Sequence, residues 1–431
     1  MAIEAFKYII IVVDSLKKIS LPVIVLASIF LNQNIFYLIL FITIFIFEYK
    51  PFKSYLIYVP LIVYCFKIFF SLFQSQYYWS KLSQGYNSFF IDFKSSIRQF
   101  KCNYLNNLYD GNAFIDSKEC PMFQGYGPLF NNLQFNYVNT DTVTNIFAIS
   151  FFVLIVFAYI KILNVQILDN KTQFFLFISP SFNLLINQQN MDLVLFIIFL
   201  YAILFIKNNL VLMIIIFVLA LFKVHPIFAL VGFLIFSINK LSKKIIFLNI
   251  LLIALSAYLI FLENIPPLLP TGPHNATGLL SISQNIWITF FDRAYGYRIV
   301  LLIFSILSVL ILLICQKVNF SIVTIETSVD YALIFWTFGI LLLANYDYRN
   351  MILILYIIKF SKDLNIFEKN IFLSYLFLSP FQSSLSGTVL SILTISKSVL
   401  MIIILSHLTK NILKILKDSV YPYLKIIDNQ S

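Results

Sequence analysis

Charged side chains are scarce in this chain. They make up 11% of its 431 residues, whereas hydrophobic residues make up 60% and the mean hydropathy is +0.90. A water-soluble domain of this length carries far more charge, so the composition predicts an integral membrane protein. Apolar runs recur from near residue 20 to residue 406 and leave no room for a large soluble catalytic domain. Any chemistry therefore belongs to loops and helix ends.

Several familiar catalytic patterns are also missing. The sequence contains no glycine-rich nucleotide-binding loop, no Ser-His-Asp order and no metal-ligand spacing, so no cofactor is predicted. A divalent ion held by Asp92 with Asp110 or Asp116 is left open and has no support. Cys102 and Cys120 share one loop, where either a disulfide or two free thiols fits. The net charge of +11 does not indicate nucleic acid, because the lysines form short clusters beside apolar runs.

The breaks between apolar runs define the predicted membrane segments. A perpendicular helix needs about 20 residues, and a tilted or half-crossing one needs fewer. We predict a single polytopic domain, residues 1 to 431, with fourteen segments near 19–31, 34–47, 55–73, 143–163, 172–187, 191–206, 209–223, 226–238, 244–262, 298–315, 329–345, 349–360, 371–380 and 387–406. Several are too short to cross alone, so the expected number of membrane segments is about 11 to 14.

Lysines predict the orientation of these segments, because cytoplasmic loops carry an excess of basic residues. Alternate connections between membrane segments lie on the same side of the membrane. One of these two sets holds most of the lysines, and we assign that set, with both termini, to the cytoplasm. These lysines are Lys7, Lys17, Lys18, Lys50, Lys53, Lys161, Lys171, Lys207, Lys240, Lys243, Lys244, Lys317, Lys359, Lys362, Lys369, Lys410, Lys414, Lys417 and Lys425. The other set of connections is then exoplasmic, and it includes the long loop 74–142 and a second loop, 264–297.

The four arginines all fall on the exoplasmic side. They are Arg98, Arg293, Arg298 and Arg349, and Asp92, Lys223, His225 and Asp347 are assigned to the same side. A membrane protein that gathers its forked cations and several carboxylates on one face is suited to handle a phosphate there.

The loop 74–142 shows a helical pattern. Apolar residues recur every three or four positions from Phe89 to Leu108 and predict an amphipathic helix that lies along the membrane surface. Glycine and proline after it, as in Tyr126-Gly127-Pro128, indicate a compact structure rather than a tether.

Short motifs in a fixed order give the chain a family resemblance. They are Asp92-Phe93, Leu108-Tyr109, Tyr126-Gly127-Pro128-Leu129, Asn187-Gln188-Gln189-Asn190-Met191-Asp192, Lys223-Val224-His225-Pro226 and Tyr346-Asp347-Tyr348-Arg349. In order and sidedness, over about residues 74 to 360, they resemble the polyprenol-phosphate-dependent glycosyltransferases of family 87, which have the GT-C fold. Gln189 stands where that family usually has glycine, Gly127 stands where it often has a second proline, and extra segments precede the loop.

The resemblance implies an all-α, GT-C-like helical bundle with a large exoplasmic loop that carries interfacial helices. It implies a multi-pass hexosyltransferase of the mannosyltransferase type in the cell inner or plasma membrane, acting in the cell envelope. The donor would be a polyprenyl-phosphate sugar that enters from the bilayer, and the acceptor a hydroxyl of a lipid or glycan on the exoplasmic face. A lipid-linked sugar flippase or transporter, and a polysaccharide polymerase or ligase, are the alternatives. Polarity gathered at one face, without a clear internal repeat, favours the enzyme.

Within this reading, Asp92 is the expected general base that takes the acceptor proton, and a helix N-cap is its alternative role. Lys223 and Arg349 are expected to bind the donor phosphate, with His225 beside them. Each of these residues has an alternative role. Lys223 could instead reach lipid headgroups, Arg349 could form an ion pair with Asp347, and His225 could be structural.

Six further residues are expected to bind substrate or support the site. They are Asn190, Asp192, Asp347, Tyr126, Arg293 and His274. An aspartate within a span is costly unless it is paired or hydrated, so Asp192 should bond either the donor or a neighbouring helix, or cap its own helix. Arg293 is alternatively an interfacial anchor. His407 falls on the cytoplasmic side and is set aside.

Overall fold

The structure, a computed structural model, describes somewhat more than half of the chain. The described residues are Tyr58, Pro60, Ile62, 140–165, 167–182, 185, 191–262, 276–283, 296–342, 345–346, 350–378 and 388–428. The segments predicted near 19–31 and 34–47, nearly all of 55–73, and the loop 74–142 up to residue 139 lie outside these residues. Within the described ranges the regular secondary structure is all helical apart from one short antiparallel bridge.

Eleven helices follow one another along the described ranges. They are α1 (Thr140–Val165), α2 (Asn170–Ile178), α3 (Met191–Phe205), α4 (Asn209–Phe222), α5 (Ile227–Lys240), α6 (Lys243–Leu262), α7 (Gly296–Lys317), α8 (Ser328–Leu342), α9 (Met351–Phe360), α10 (Ile366–Leu378) and α11 (Thr388–Asp428). The bridge pairs β1 (Ala276–Thr277), which precedes α7, with β2 (Asn345–Tyr346), which follows α8. It therefore ties the second predicted exoplasmic loop to the residues just before Asp347.

Helix α11 differs most from its predicted segment. The apolar run predicted an end near residue 406, but the helix continues to Asp428. Leu408, Ile412 and Ile415 are buried at spacings of three and four, so one face of the helix still packs on the bundle. Lys414 and Lys417 are exposed on another face. The apolar run therefore ends before the helix does, because the last part of the helix is amphipathic.

Polar contacts gather a set of helix ends at one end of the bundle. The contacts are Ser328 to Asn209 at 2.6 Å, Lys359 to Asp330 at 2.9 Å, Lys369 to Asp169 at 3.1 Å and Lys410 to the Val318 carbonyl at 3.3 Å. They bring together the starts of α2, α4, α8 and α10, the ends of α7 and α9, and residue 410 of α11. We call this the lysine-rich end. The starts of α3 and α5 and the end of α4 therefore lie at the opposite end.

Helix α9 forms the centre of the bundle. Nearly all of its side chains are buried, and it contacts α3, α8 and α10. A helix that is apolar on every side is stable only where other helices surround it. At about 1.5 Å per residue it is about 15 Å long, roughly half the thickness of a bilayer core. Its shortness fits the tilted or half-crossing segment predicted for residues 349–360.

Two helices within the described ranges are long and apolar enough to cross a membrane. They cover Ile299–Lys317 and Ile395–Asp418, and six shorter apolar helices of 10–17 residues accompany them. These lengths and compositions give weak support for a membrane protein.

Helices α5 and α8 make the most extensive contact in the described bundle. Phe228 of α5 packs on Gly339 of α8, and Gly232 of α5 packs on the Tyr331 carbonyl, so the two helices are antiparallel. A Cβ atom at either glycine would overlap these neighbours. The missing side chains allow the two helix backbones to approach closely.

Alanine at Gly339 should therefore destabilise the protein by about 1–3 kcal/mol, because the added methyl group has no space beside the Phe228 ring. Thermal unfolding of the detergent-solubilised protein measures the loss. Val309→Ile adds one methyl group on an exposed face of α7 and serves as the control. Equal unfolding temperatures for the Gly339→Ala variant and the control would contradict the close packing.

Candidate functional site

A buried polar cluster lies at the end of the bundle opposite the lysine-rich end. The Lys223 ammonium contacts Asp192 Oδ2 at 2.6 Å, and His225 Nε2 lies 3.0 Å from Asp192 Oδ1. The Trp336 indole N–H donates to His225 Nδ1 at 2.9 Å. Asp192 and Trp336 are fully buried, and Lys223 and His225 are 3% and 7% exposed. We call these four residues the Asp192 cluster.

The hydrogen bonds fix the tautomer of His225. An indole nitrogen can only donate, so Nδ1 of His225 must accept the bond from Trp336. The ring proton is then on Nε2 and is donated to Asp192. Histidine in this form is neutral, so the cluster carries one positive charge on Lys223 and one negative charge on Asp192. The Asp192 carboxylate is thus held by two donors, as a buried charge requires.

Helix ends stabilise both charges. Asp192 lies in the first turn of α3, where the helix dipole favours an anion. Lys223 is the C-cap residue of α4, with extended backbone angles, at the end where the dipole favours a cation. Pro226 explains why α4 stops here, because a proline disfavours helical geometry in the residue before it. The chain turns through residues 223–226 and begins α5 at Ile227.

Aromatic packing holds Trp336 in place. The ring of Phe199 on α3 meets the indole edge to face, with 4.8 Å between ring centroids. Phe199 is seven residues after Asp192, so both lie on the same face of α3. The His225 ring also stacks with the indole, with 5.7 Å between ring centroids and 26° between the ring planes. The cluster therefore joins α3, α8 and the turn between α4 and α5.

Three residues singled out by the sequence meet in this cluster. Asp192 belongs to the Asn187–Asp192 motif, and Lys223 and His225 belong to the next motif along the chain. Asp192 bonds the neighbouring helix end, which was one of the roles expected for it. Lys223 is buried and ion-paired, so the alternative in which it reaches lipid headgroups is wrong for this structure. Trp336 was missed, because a tryptophan in an apolar helix gives no sign of a polar partner.

The other predicted site residues lie outside the described residues. They are Asp92, Tyr126, Asn190, His274, Arg293, Asp347 and Arg349, and Asp110, Asp116, Cys102 and Cys120 lie outside as well. Arg298 lies in the first turn of α7, with only its backbone described. Among the described residues, no group of three or more His, Cys, Asp or Glu side chains could hold a metal ion.

No family model, curated protein or solved structure matches this chain.

Removing one partner of the buried ion pair should be more costly than removing both. Asp192→Asn leaves the Lys223 ammonium without this carboxylate, and the expected loss of unfolding free energy is about 3–5 kcal/mol. The double variant Asp192→Asn/Lys223→Met should lose less than either single variant, so the two substitutions are not additive. Denaturant titration in mixed micelles measures the four free energies.

The Asp169–Lys369 pair provides the control, because its side chains are 48% and 20% exposed. The corresponding cycle, Asp169→Asn and Lys369→Met, should give a coupling of about 0–1 kcal/mol, as for other exposed pairs. Strict additivity of the Asp192 and Lys223 substitutions would rule out the buried pair.

The histidine tautomers provide a second test, because the chain has only three histidines. In a ¹⁵N-histidine NMR spectrum, His225 should carry its proton on Nε2, and Trp336→Phe should mix the two tautomers because Nδ1 loses its donor. His225→Gln assigns the signal. A protonated Nδ1 at His225 in the unsubstituted protein would contradict the bond from Trp336.

Proposed function

We propose that the protein is a polytopic membrane glycosyltransferase. It transfers a hexose, mannose or another, from a polyprenyl-phosphate sugar to a hydroxyl of a lipid or glycan acceptor on the exoplasmic face. The observation that carries the proposal is the Asp192 cluster. Residues of two separate motifs, expected to bind the donor phosphate (Lys223, His225) and to support the site (Asp192), lie within hydrogen-bond distance of each other.

Lipid-facing helix surfaces support the membrane part of the proposal. On α7, Leu302, Ile306, Val309 and Leu313 are each more than half exposed and follow one another at spacings of three and four. Exposed apolar side chains also cover faces of α1, α4 and α6. Water-soluble monomers rarely expose apolar surface on this scale, whereas lipid tails cover it without cost.

The proposed reaction places charge where Lys223 can act. Asp92 takes the proton of the acceptor hydroxyl, and the hydroxyl oxygen attacks the anomeric carbon of the sugar. The bond between that carbon and the phosphate oxygen breaks, and the polyprenyl phosphate leaves with an additional negative charge. A fixed ammonium near this phosphate lowers the barrier, because the charge develops only as the bond breaks.

Asp192 positions Lys223 for this reaction. Its carboxylate pairs with the ammonium and orients it, and the three N–H groups of an ammonium can serve more than one acceptor. His225 in its neutral form adds no positive charge, so it acts through Asp192 rather than on the phosphate. The phosphate-binding role thus rests on Lys223 with Arg349, and Asn190, Asp347, Tyr126, Arg293 and His274 are proposed to surround the substrates.

A lipid-linked sugar flippase or transporter is the second candidate function. The observation in its favour is the burial of Asp192, Lys223 and His225 among apolar helices, because ionisable groups inside a membrane often mark a transport pathway. A polymerase or ligase would share the donor chemistry and differ in its acceptor. The product distinguishes these functions. A flippase leaves the sugar–phosphate bond intact, whereas the enzymes break it and differ in the acceptor that receives the sugar.

Transfer from a radiolabelled polyprenyl-phosphate hexose in proteoliposomes tests the proposal. Lys223→Gln should lower kcat/KM for the donor by about 10- to 100-fold, since a hydrogen bond to a charged group contributes about 1.5–3 kcal/mol and the phosphate gains charge in the transition state. Asp92→Asn should lower kcat by about 10²- to 10⁴-fold, because the general base is lost. Each variant is first checked for folding by gel filtration.

Lys369→Gln is the matched control, because Lys369 is also paired with an aspartate but lies at the lysine-rich end. Its kcat/KM for the donor should not change. The labelled donor could instead cross the bilayer intact, without transfer of its sugar to any acceptor. That result would reject the enzyme in favour of the flippase.

A further inference from the structure

The connector between α7 and α8, residues 318–327, is an extended segment without regular secondary structure. Such a connector is usually mobile, because its backbone N–H groups bond only water. Here five of them donate to side chains of other parts of the bundle. The bonds are Ser321 N–H to Glu368 at 2.6 Å, Val323 to Asn411 at 2.9 Å, Thr324 to Asp363 at 2.7 Å, and Glu326 and Thr327 to Asp330 at 2.9 and 2.8 Å.

The acceptors come from four separate places. Asp330 lies in the first turn of α8, Asp363 in the turn after α9, Glu368 in the first turn of α10, and Asn411 in α11. The connector thus fastens the lysine-rich ends of these helices to one another. The Lys410 ammonium adds a further bond to the Val318 carbonyl where α7 ends.

A buried hydrogen-bond network lies behind the connector. Glu368 accepts from the Ser321 hydroxyl, and its Oε1 lies 3.3 Å from Nδ1 of His407. His407 Nε2 lies 2.9 Å from the Tyr356 hydroxyl and 3.2 Å from the Asn411 amide nitrogen. Asn411 Oδ1 accepts from Val323, so its amide nitrogen faces His407 as a donor and Nε2 is an acceptor. The proton of His407 is therefore on Nδ1 and is donated to Glu368.

The carboxylate of Glu368 is firmly held in its ionised form. Burial alone would raise its pKa, but hydrogen bonds from His407 and from the hydroxyl and amide of Ser321 outweigh burial and lower the pKa to about 2. Removing a partner from such a network leaves buried polar groups unsatisfied, which is costly. The network therefore opposes separation of α9, α10 and α11 at this end.

The opposite end must behave differently if it binds a donor. Lys223 is only 3% exposed, so a phosphate can reach its ammonium only if neighbouring residues move. The tied connector makes such movement costly at the lysine-rich end. If a donor binds Lys223, the movement that admits it is therefore expected at the end that carries the Asp192 cluster.

We propose that the lysine-rich end is a permanently closed clamp, formed by the 318–327 connector and its acceptors, and that donor and acceptor enter only from the opposite end. This inference rests on the proposed function for the identity of the entering molecules. It deepens that function, because a transporter must open both ends in turn, whereas a transferase with both substrates on one side needs only one opening.

Hydrogen exchange of the full-length protein in lipid nanodiscs tests the clamp. Five backbone amides should exchange at least about 100-fold more slowly, without donor, than the same residues do in an unstructured peptide. They are the amides of Ser321, Val323, Thr324, Glu326 and Thr327. Asn411→Leu removes the acceptor of Val323 and should speed exchange throughout the connector. Thr409→Ala is the control, because the Thr409 hydroxyl bonds only within its own helix, to Leu405.

Polyprenyl phosphate is the probe for opening. The expected result is unchanged connector exchange together with altered exchange in residues 223–229. Fast connector exchange without the probe, or faster exchange when the probe is added, would overturn the clamp. A third outcome is slow connector exchange with no change anywhere when the probe is added. It would support the clamp and contradict only the proposed binding of the donor.

Discussion

The ion pair between Asp192 and Lys223 is the constraint on which the rest of the structure depends. Two charges in an apolar bundle are tolerated only when they meet with good geometry and further hydrogen bonds. Here that requirement brings the start of α3 to the end of α4. His225 and Trp336 then complete the bonding of the carboxylate and attach the turn to α8. The polar residues thus determine which helix ends are neighbours, a choice that apolar packing alone leaves open.

The two polar networks of the bundle have different chemical characters. Around Asp192 the charged groups are few, and the Lys223 ammonium is paired with the carboxylate where helix α4 ends. Around Glu368 the same residue types serve backbone N–H groups of a connector, and each contact ties two elements together. Carboxylates and histidines occur in both places. What separates a candidate site from a structural clamp is therefore the partner of each side chain rather than its type.

The sequence predicted most helices of the described ranges, because apolar runs of the right length have few alternatives in a chain so poor in charge. The cost of a charge within an apolar run indicated a bonding partner for Asp192, and the neighbouring helix end was one of the partners expected. The assignment of Lys223 and His225 to the same site came from the family resemblance. The sequence could not predict Trp336, whose polar atom is hidden in an apolar side chain. Nor could it predict the role of His407, because its partners Tyr356, Glu368 and Asn411 are brought together only by tertiary packing.

The most direct test is a distance between Lys223 and the phosphate of a bound polyprenyl phosphate in lipid bilayers. Solid-state NMR with ¹⁵N-lysine and the natural ³¹P nucleus measures it, and subtraction of the Lys223→Gln spectrum isolates the one ammonium of interest. We expect a ³¹P–¹⁵N contact of about 3–4 Å that is absent without the lipid, as for a charge-assisted hydrogen bond to phosphate. A bound phosphate that leaves the Lys223 signal without any ³¹P contact would contradict the proposed site.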